Sequence, residues 1–399
     1  MKTRKRSLKY FHYRECDAFA EYLHQQSLKG WHFKEWRLGL VFEQGEPEDI
    51  EYTVEVFPKG SEQDLRPGED TKEYAEYCEA AGWKLVDAHG KFCIFRKLRK
   101  DAVPIVESEE RFENIRKAEL AWWGNRSLMA ILLAPIYFFE FWKLNFEVWI
   151  FTDVMLLFLA LFLILAIGAI CEGIQLAVWC KGKRRKLAKG ERIHYGNCGT
   201  VGIRRIIFSI AMLGFATIGI EQQSWVAINL VVTIALLGMV SGIVAIWRPL
   251  STENTIFTLI AVFGIFIVML GALFSHFNQE QSIQEISDNH VVEERMAGIF
   301  GKGERGVITW PYESLDYKLY HSPHTWITDK IWRQEYDYVK EGRDCKEIWD
   351  AEAAYVIGDS GFYWYCIRFA EDVVTLHVDA EQELDAEEIL KLKEQLQIP

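Results

Sequence analysis

What the chain lacks narrows its chemistry first. Its 399 residues include eight cysteines but no C-x-x-C pair, which argues against a zinc ribbon and a thioredoxin-like redox site. The N-terminus, MKTRKRSLKYFHYREC, is basic, but no apolar stretch of the kind a cleavable signal needs follows it. No Walker loop, dinucleotide fingerprint, zincin motif, nucleophile elbow or kinase signature is present. The reading therefore assigns no catalytic, cofactor-binding or metal-binding residue, expects no cofactor, and disfavours an enzyme.

What the chain has is a division by charge. Residues 1–127 carry 22 Lys and Arg against 24 Asp and Glu, residues 128–275 carry 11 against 7, and residues 276–399 carry 12 against 26. A long apolar block thus lies between a nearly neutral domain and an acidic one. In that block, residues 154–171 contain no charge, and as a helix they are about the length that crosses a ~30 Å hydrocarbon core. Five spans are expected, at about 127–142, 150–174, 206–220, 225–247 and 255–274. A basic cluster follows the second: Lys181, Lys183, Arg184, Arg185, Lys186, Lys189 and Arg192. With the N-terminus inside, 14 bases flank the cytoplasmic side and 2 (Lys143 and Arg295) the outer side, which sets the orientation. An odd number of spans then places residues 276–399 outside, although a first segment that failed to cross would reverse that side. The basic cluster is read as this orientation signal and as a contact for anionic lipid of the inner leaflet. Its tethering between spans disfavours nucleic acid. Glu172 and Asp153 are the carboxylates closest to the spans. An intramembrane carboxylate would suggest an ion or proton site, but an interfacial position is favoured for both.

In residues 1–105, two segments share a layout. Tyr22 precedes Gly30-Trp31 by the same interval as Tyr74 precedes Gly82-Trp83. Asp17 and Asp70 are candidate helix N-caps, and the glycines suit the left-handed residue that ends a helix. Strands are expected at 8–13, 31–36, 38–43, 51–57, 83–87 and 92–96. The resulting β-α-β-β-α-β order, with an extra hairpin, predicts a ferredoxin-like α+β sandwich. His12, His24, His32 and His89 match no ligand spacing and are read as packing or surface residues.

The pattern Tyr22-Leu23…Gly30-Trp31, then Phe42, Tyr52, Gly82-Trp83 and Phe95-Arg96, resembles the domain of unknown function 2812 over residues 8–97. That resemblance implies a membrane protein of Gram-positive bacteria, often encoded beside a PadR-type repressor. It also implies cytoplasmic placement of this domain and a regulatory context, but it supplies no catalytic residues.

After a linker at 106–126 and the membrane block 127–275, residues 276–399 predict a small α+β domain. Strands are expected at 355–357, 362–369 and 373–378, with a closing amphipathic helix at 386–396. Gly358-Asp359-Ser360-Gly361 looks like a serine-protease motif without its following residues, and the flanking strands make it a hairpin turn. His321 and His324 flank Pro323 and form a polar loop rather than a metal pair. Cys345 and Cys366 lie outside the membrane in this topology and are expected to form a disulfide. The acidity of the domain is read as a solvated face, with any external ligand left unnamed. The function expected from these features is that of a membrane sensor or regulatory adaptor with a cytoplasmic partner. The alternative is a transport or export component, with Glu172 and the kinked first span facing a pathway.

Overall fold

The computed structural model describes residues 3–196, 225–279, 284–287, 290–309, 314–359 and 361–398. The chain forms two compact units, Met1–Ala134 with Leu161–Gly271 and Pro135–Ala160 with Ala272–Pro399.

The first unit begins with a duplicated β-α-β-β motif. The first copy is β1 Arg4–Ser7, α1 Cys16–Ser27, β2 Trp31–Trp36 and β3 Leu40–Gln44. The second is β4 Tyr52–Val56, α2 Glu69–Ala80, β5 Trp83–His89 and β6 Phe92–Lys97. Each copy makes its own antiparallel sheet with its third strand in the middle, β1-β3-β2 and β4-β6-β5. The ferredoxin-like sandwich is therefore corrected to two three-stranded sheets. The equivalence extends to defects: register slips between Phe33 and Glu35 in one copy and between Leu85 and Asp87 in the other. A bulge of this kind re-aims the side chains around it.

Gly30 and Gly82 end their helices at φ +77° and +92°. A methyl at Gly82 would sit 2.9 Å from the Ala102 Cβ. Gly82→Ala should cost about 1–3 kcal/mol, read as a lower thermal midpoint of the purified protein. Asp17 and Asp70 are not caps. Their helices start one residue earlier, behind Glu15 and Gly68, so both carboxylates sit in the first turn. The strand expected at 8–13 is absent, and β1 lies before it.

The apolar block differs from the five expected spans. α3, Ser108–Phe139, continues through a wide π turn at Glu140–Leu144. α5, Asp153–Ala188, follows the short α4, Phe146–Ile150. Among the described residues these supply the two helices long and apolar enough to cross a membrane, Ser108–Leu144 and Met155–Ala188. The segments expected at 225–247 and 255–274 are helical, as α6 Trp225–Trp247 and α7 Ser251–Gln279. Among the residues whose side chains are described, their apolar stretches run over Val232–Trp247 and Ser251–Ile265. The segment expected at 206–220 lies outside the described residues. The first helix is longer than its apolar part because residues 108–126 pack against the N-terminal core, with Ile115 and Ala118 in it and Glu119 buried as well. Pro135 sits inside it without ending it.

Only 11% and 22% of the apolar windows of the two long helices are buried. Ile164, Ile167, Ile170, Ile174 and Val178 form an exposed stripe along α5, unlike the core helix of a water-soluble domain. Trp123 donates its indole N–H to the Ala169 carbonyl at 2.9 Å, tying α3 to α5.

The second unit is built on an eight-stranded antiparallel sheet. Its strands are β7 Gln284–Ser287, β8 His290–Gly298, β9 Gly301–Thr309, β10 Ser314–His321, β11 Arg343–Asp344, β12 Ala353–Asp359, β13 Phe362–Arg368 and β14 Asp372–Val378. Their order is β11-β12-β13-β14-β10-β9-β8-β7. The unit also contains α8 Thr325–Val339, α9 Lys346–Trp349 and α10 Ala386–Leu396. α10 stands where the apolar periodicity predicts it, and Asp385 caps it by accepting from the Glu387 and Glu388 N–H groups.

Two cores cover opposite faces of this sheet. Trp349, Tyr365, Ile367 and Leu392 lie in one. Ile327, Ile331 and Cys366 lie in the other, together with Phe146, Ile150 and Phe151 from the segment between α3 and α5. Successive residues of a strand point to opposite faces, so Cys366 faces away from Cys345, which packs beside Trp349. Both cysteines are buried and free, which corrects the expected disulfide. Alkylation of the two should proceed only on unfolding, and reductant should leave the electrophoretic mobility unchanged.

Candidate functional site

The polar features of the first unit converge on the places where helices meet the duplicated domain. β2 and β5 are edge strands of separate sheets and lie against each other. The Trp36 N–H donates to Asp87 Oδ2 at 2.6 Å across that junction. Glu35 and Asp87, the equivalent residues of the two bulges, both face it. Arg248, directly after α6, fills it. Its guanidinium lies 3.1 Å from Glu35 Oε2 and 2.7 Å from Asp87 Oδ1, and it also donates to the Leu65 and Ala88 carbonyls. Its backbone is left-handed at φ +57°, a conformation that costs a non-glycine residue free energy and is held by its surroundings. Burial pushes the Asp87 carboxyl up, and the Arg248 guanidinium partly offsets that.

The chain around Arg248 is tied to the same domain. The Leu65 N–H donates to the Pro249 carbonyl at 3.1 Å, and the Ser251 N–H donates to Asp64 Oδ1 at 2.7 Å. Arg66 pairs with Glu253 at 3.1 Å.

A second arginine enters from the start of α3. Arg111 bonds Glu55 of β4 and Asp17 of α1, each at 2.9 Å, and donates to the Val54 carbonyl. Asp17 also accepts the Tyr195 N–H at 2.8 Å, which secures the chain that follows α5. Burial pushes the Glu55 carboxyl up, against the opposing Arg111 charge. Farther along α3, Glu119 accepts the Arg14 N–H at 3.0 Å. Ile115 and Ala118 of α3 belong to the same apolar core as Phe19 and Phe42. The arrangement is one of ion pairs and hydrogen bonds. It fastens the duplicated domain to α3, to the chain after α5 and to the end of α6 through buried charge.

Among the described residues no group of His, Cys, Asp and Glu is placed to hold a metal ion. His321 Nδ1 donates to Asp372 Oδ1 at 2.9 Å, while His324 sits at the N-terminus of α8. The residues flanking Ser360 form the β12–β13 hairpin. Asp153 receives the Ile299 N–H at 2.9 Å and so steadies the turn between β8 and β9, a structural task. Glu172 is half-buried on α5. The basic cluster is partly helical, because α5 runs to Ala188. Arg184 pairs with Glu113 at 3.3 Å, and Lys183 donates to the His194 carbonyl at 2.6 Å. Lys181, Arg185, Lys186, Lys189 and Arg192 are exposed. Trp31 is half-buried; Trp83 is buried and donates to the Val103 carbonyl.

Neither clamp was found by sequence reasoning. Arg111 and Arg248 counted only as orientation charges, and the one available signal was the matched spacing that makes Glu35 and Asp87 equivalent. No curated protein and no solved structure matches the chain. A family model does match residues 16–125, a segment that includes α1, β2 to β6, α2 and α3 through Asn125. Over those 110 of 399 residues, Arg111 and Glu119 included, the chain resembles the family described as Protein of unknown function (DUF2812).

Proposed function

We propose that the protein is a membrane-anchored regulatory adaptor that transmits the position of its helices to the duplicated N-terminal domain. The observation carrying this reading is that α3 supplies both buried charge and apolar core to that domain. Movement of α3 would therefore shift α1 and β4 directly. In this reading α3 and α5 form a hairpin in lipid, their exposed apolar stripes facing acyl chains. The N-terminal domain lies at the cytoplasmic face and presents its surface to a regulatory protein. The exposed bases Lys181, Arg185, Lys186, Lys189 and Arg192 meet anionic lipid there, each contributing about 1 kcal/mol. Residues 146–151, where the hairpin turns, pack into the core of the C-terminal unit.

The test is labelling with a membrane-impermeant maleimide in intact cells, on a background without exposed native cysteines. Lys143→Cys should label from outside and Lys186→Cys only after lysis. Equal labelling of both positions would remove the hairpin, and the reverse pattern would overturn its orientation.

A further inference from the structure

The first unit contains a cavity of about 270 Å3 whose wall is mostly aromatic. Trp36 stacks on His89 with ring centroids 4.5 Å apart. Tyr10 stands edge-on to Trp36 at 6.3 Å. Trp122 reaches the cavity from α3. Glu62, His89, His12, Asn125 and Arg126 are the polar side chains on this wall besides the tyrosine hydroxyls. The Tyr13 hydroxyl donates to Glu62 Oε2 at 2.5 Å, and Glu62 Oε1, shielded from water, has no hydrogen-bond partner among the described residues. His89 Nδ1 is shielded and unpartnered in the same way. Burial lowers the imidazole pKa to about 4, so near neutral pH the ring is uncharged. Its bond with the Leu65 backbone then uses the other nitrogen and leaves Nδ1 as an acceptor.

We propose that this cavity binds a small organic ammonium ion, a protonated primary amine with an apolar body about the size of one ring. Aromatic faces attract a cation. A buried carboxylate oxygen and a neutral imidazole nitrogen both call for N–H donors. A primary ammonium provides the charge and the donors together. A quaternary ammonium provides only the charge, and a neutral alcohol provides only a donor. Arg126 stacks on Trp122 at 4.1 Å and places a positive charge beside the cavity. The other end of the ligand is therefore neutral or anionic, which excludes polyamines. Because the cavity lies wholly within one unit, its occupancy does not depend on whether α3 crosses a membrane.

Titration calorimetry on the purified full-length protein tests this with three probes: phenethylammonium, phenethyl alcohol and tetramethylammonium. Phenethylammonium should saturate one site at millimolar or lower concentration, and the other two should bind at least about tenfold more weakly. Glu62→Gln, with an unchanged thermal midpoint, should weaken phenethylammonium by about tenfold or more. Three results would overturn the proposal: no saturable phenethylammonium binding up to about 10 mM, equal binding of the alcohol or the quaternary cation, or indifference to Glu62→Gln. The comparison among probes on the unaltered protein stands even if the variant misfolds. A negative result would leave the maleimide topology untouched, so the two readings fail separately.

Discussion

Arg248→Met should destabilise the N-terminal unit by about 3–5 kcal/mol, because it strands a buried carboxylate rather than merely deleting a contact. Asp87 is 5% exposed at its side chain and Glu35 is 26% exposed, so Asp87 carries most of the penalty. The decisive comparison is the double variant Arg248→Met with Asp87→Asn. The amide removes the uncompensated charge while its carbonyl still accepts the Trp36 N–H. The double variant should therefore be more stable than Arg248→Met alone, although it carries one substitution more. For a domain of about 100 residues the single change corresponds to a fall of roughly 10 °C or more in thermal midpoint. If the double variant is less stable than the single one, the clamp is not an electrostatic pairing at the junction of β2 and β5.

The second large effect is expected at Arg111. Arg111→Met leaves Glu55, 7% exposed at its side chain, without its cationic partner. The cost should again be about 3 kcal/mol or more. Asp17, exposed to 23%, retains the Tyr195 N–H and some solvent, so it contributes less. Glu55→Gln in the same background should recover part of the loss. The two clamps also differ in what they release. Losing Arg248 frees the chain after α6, whereas losing Arg111 frees the start of α3. Limited proteolysis should therefore open new cleavage near residues 247–251 in the first variant and near 105–111 in the second. Cleavage at the same place in both would mean that the domain unfolds as a whole and that the clamps are not separate fastenings.

The local outline of the domain was legible in the chain. The Gly-Trp pairs placed the ends of α1 and α2 and the starts of β2 and β5, because a left-handed helix end needs glycine wherever it occurs. Alternation and apolar periodicity placed β12 to β14 and α10. Segments whose pairing is remote were missed. β8 and β9 contain HVVEERMAG and GKGERGVIT, polar or glycine-rich runs that become strands because neighbours across the sheet satisfy their backbone. β10 likewise pairs with β9 on one side and with β14, some fifty residues later, on the other. The disulfide was misjudged for a related reason: two isolated cysteines do not reveal which face of a sheet each occupies.

The sequence by itself determined the duplication, the uncharged run at 154–171 that lies in α5 and the separation of a neutral N-terminal domain from an acidic C-terminal one, whereas its five spans did not hold. The features that held are properties of spacing and composition, readable one segment at a time. Only the tertiary structure decided that the duplicated halves keep separate sheets, and that Arg248 joins their equivalent bulges. It also decided that Arg111 carries α3 into the domain, and that residues 146–151 belong to the C-terminal core. Each of those facts depends on groups far apart in the chain meeting where water is excluded. A charge acquires its partner and its energetic weight only at that meeting.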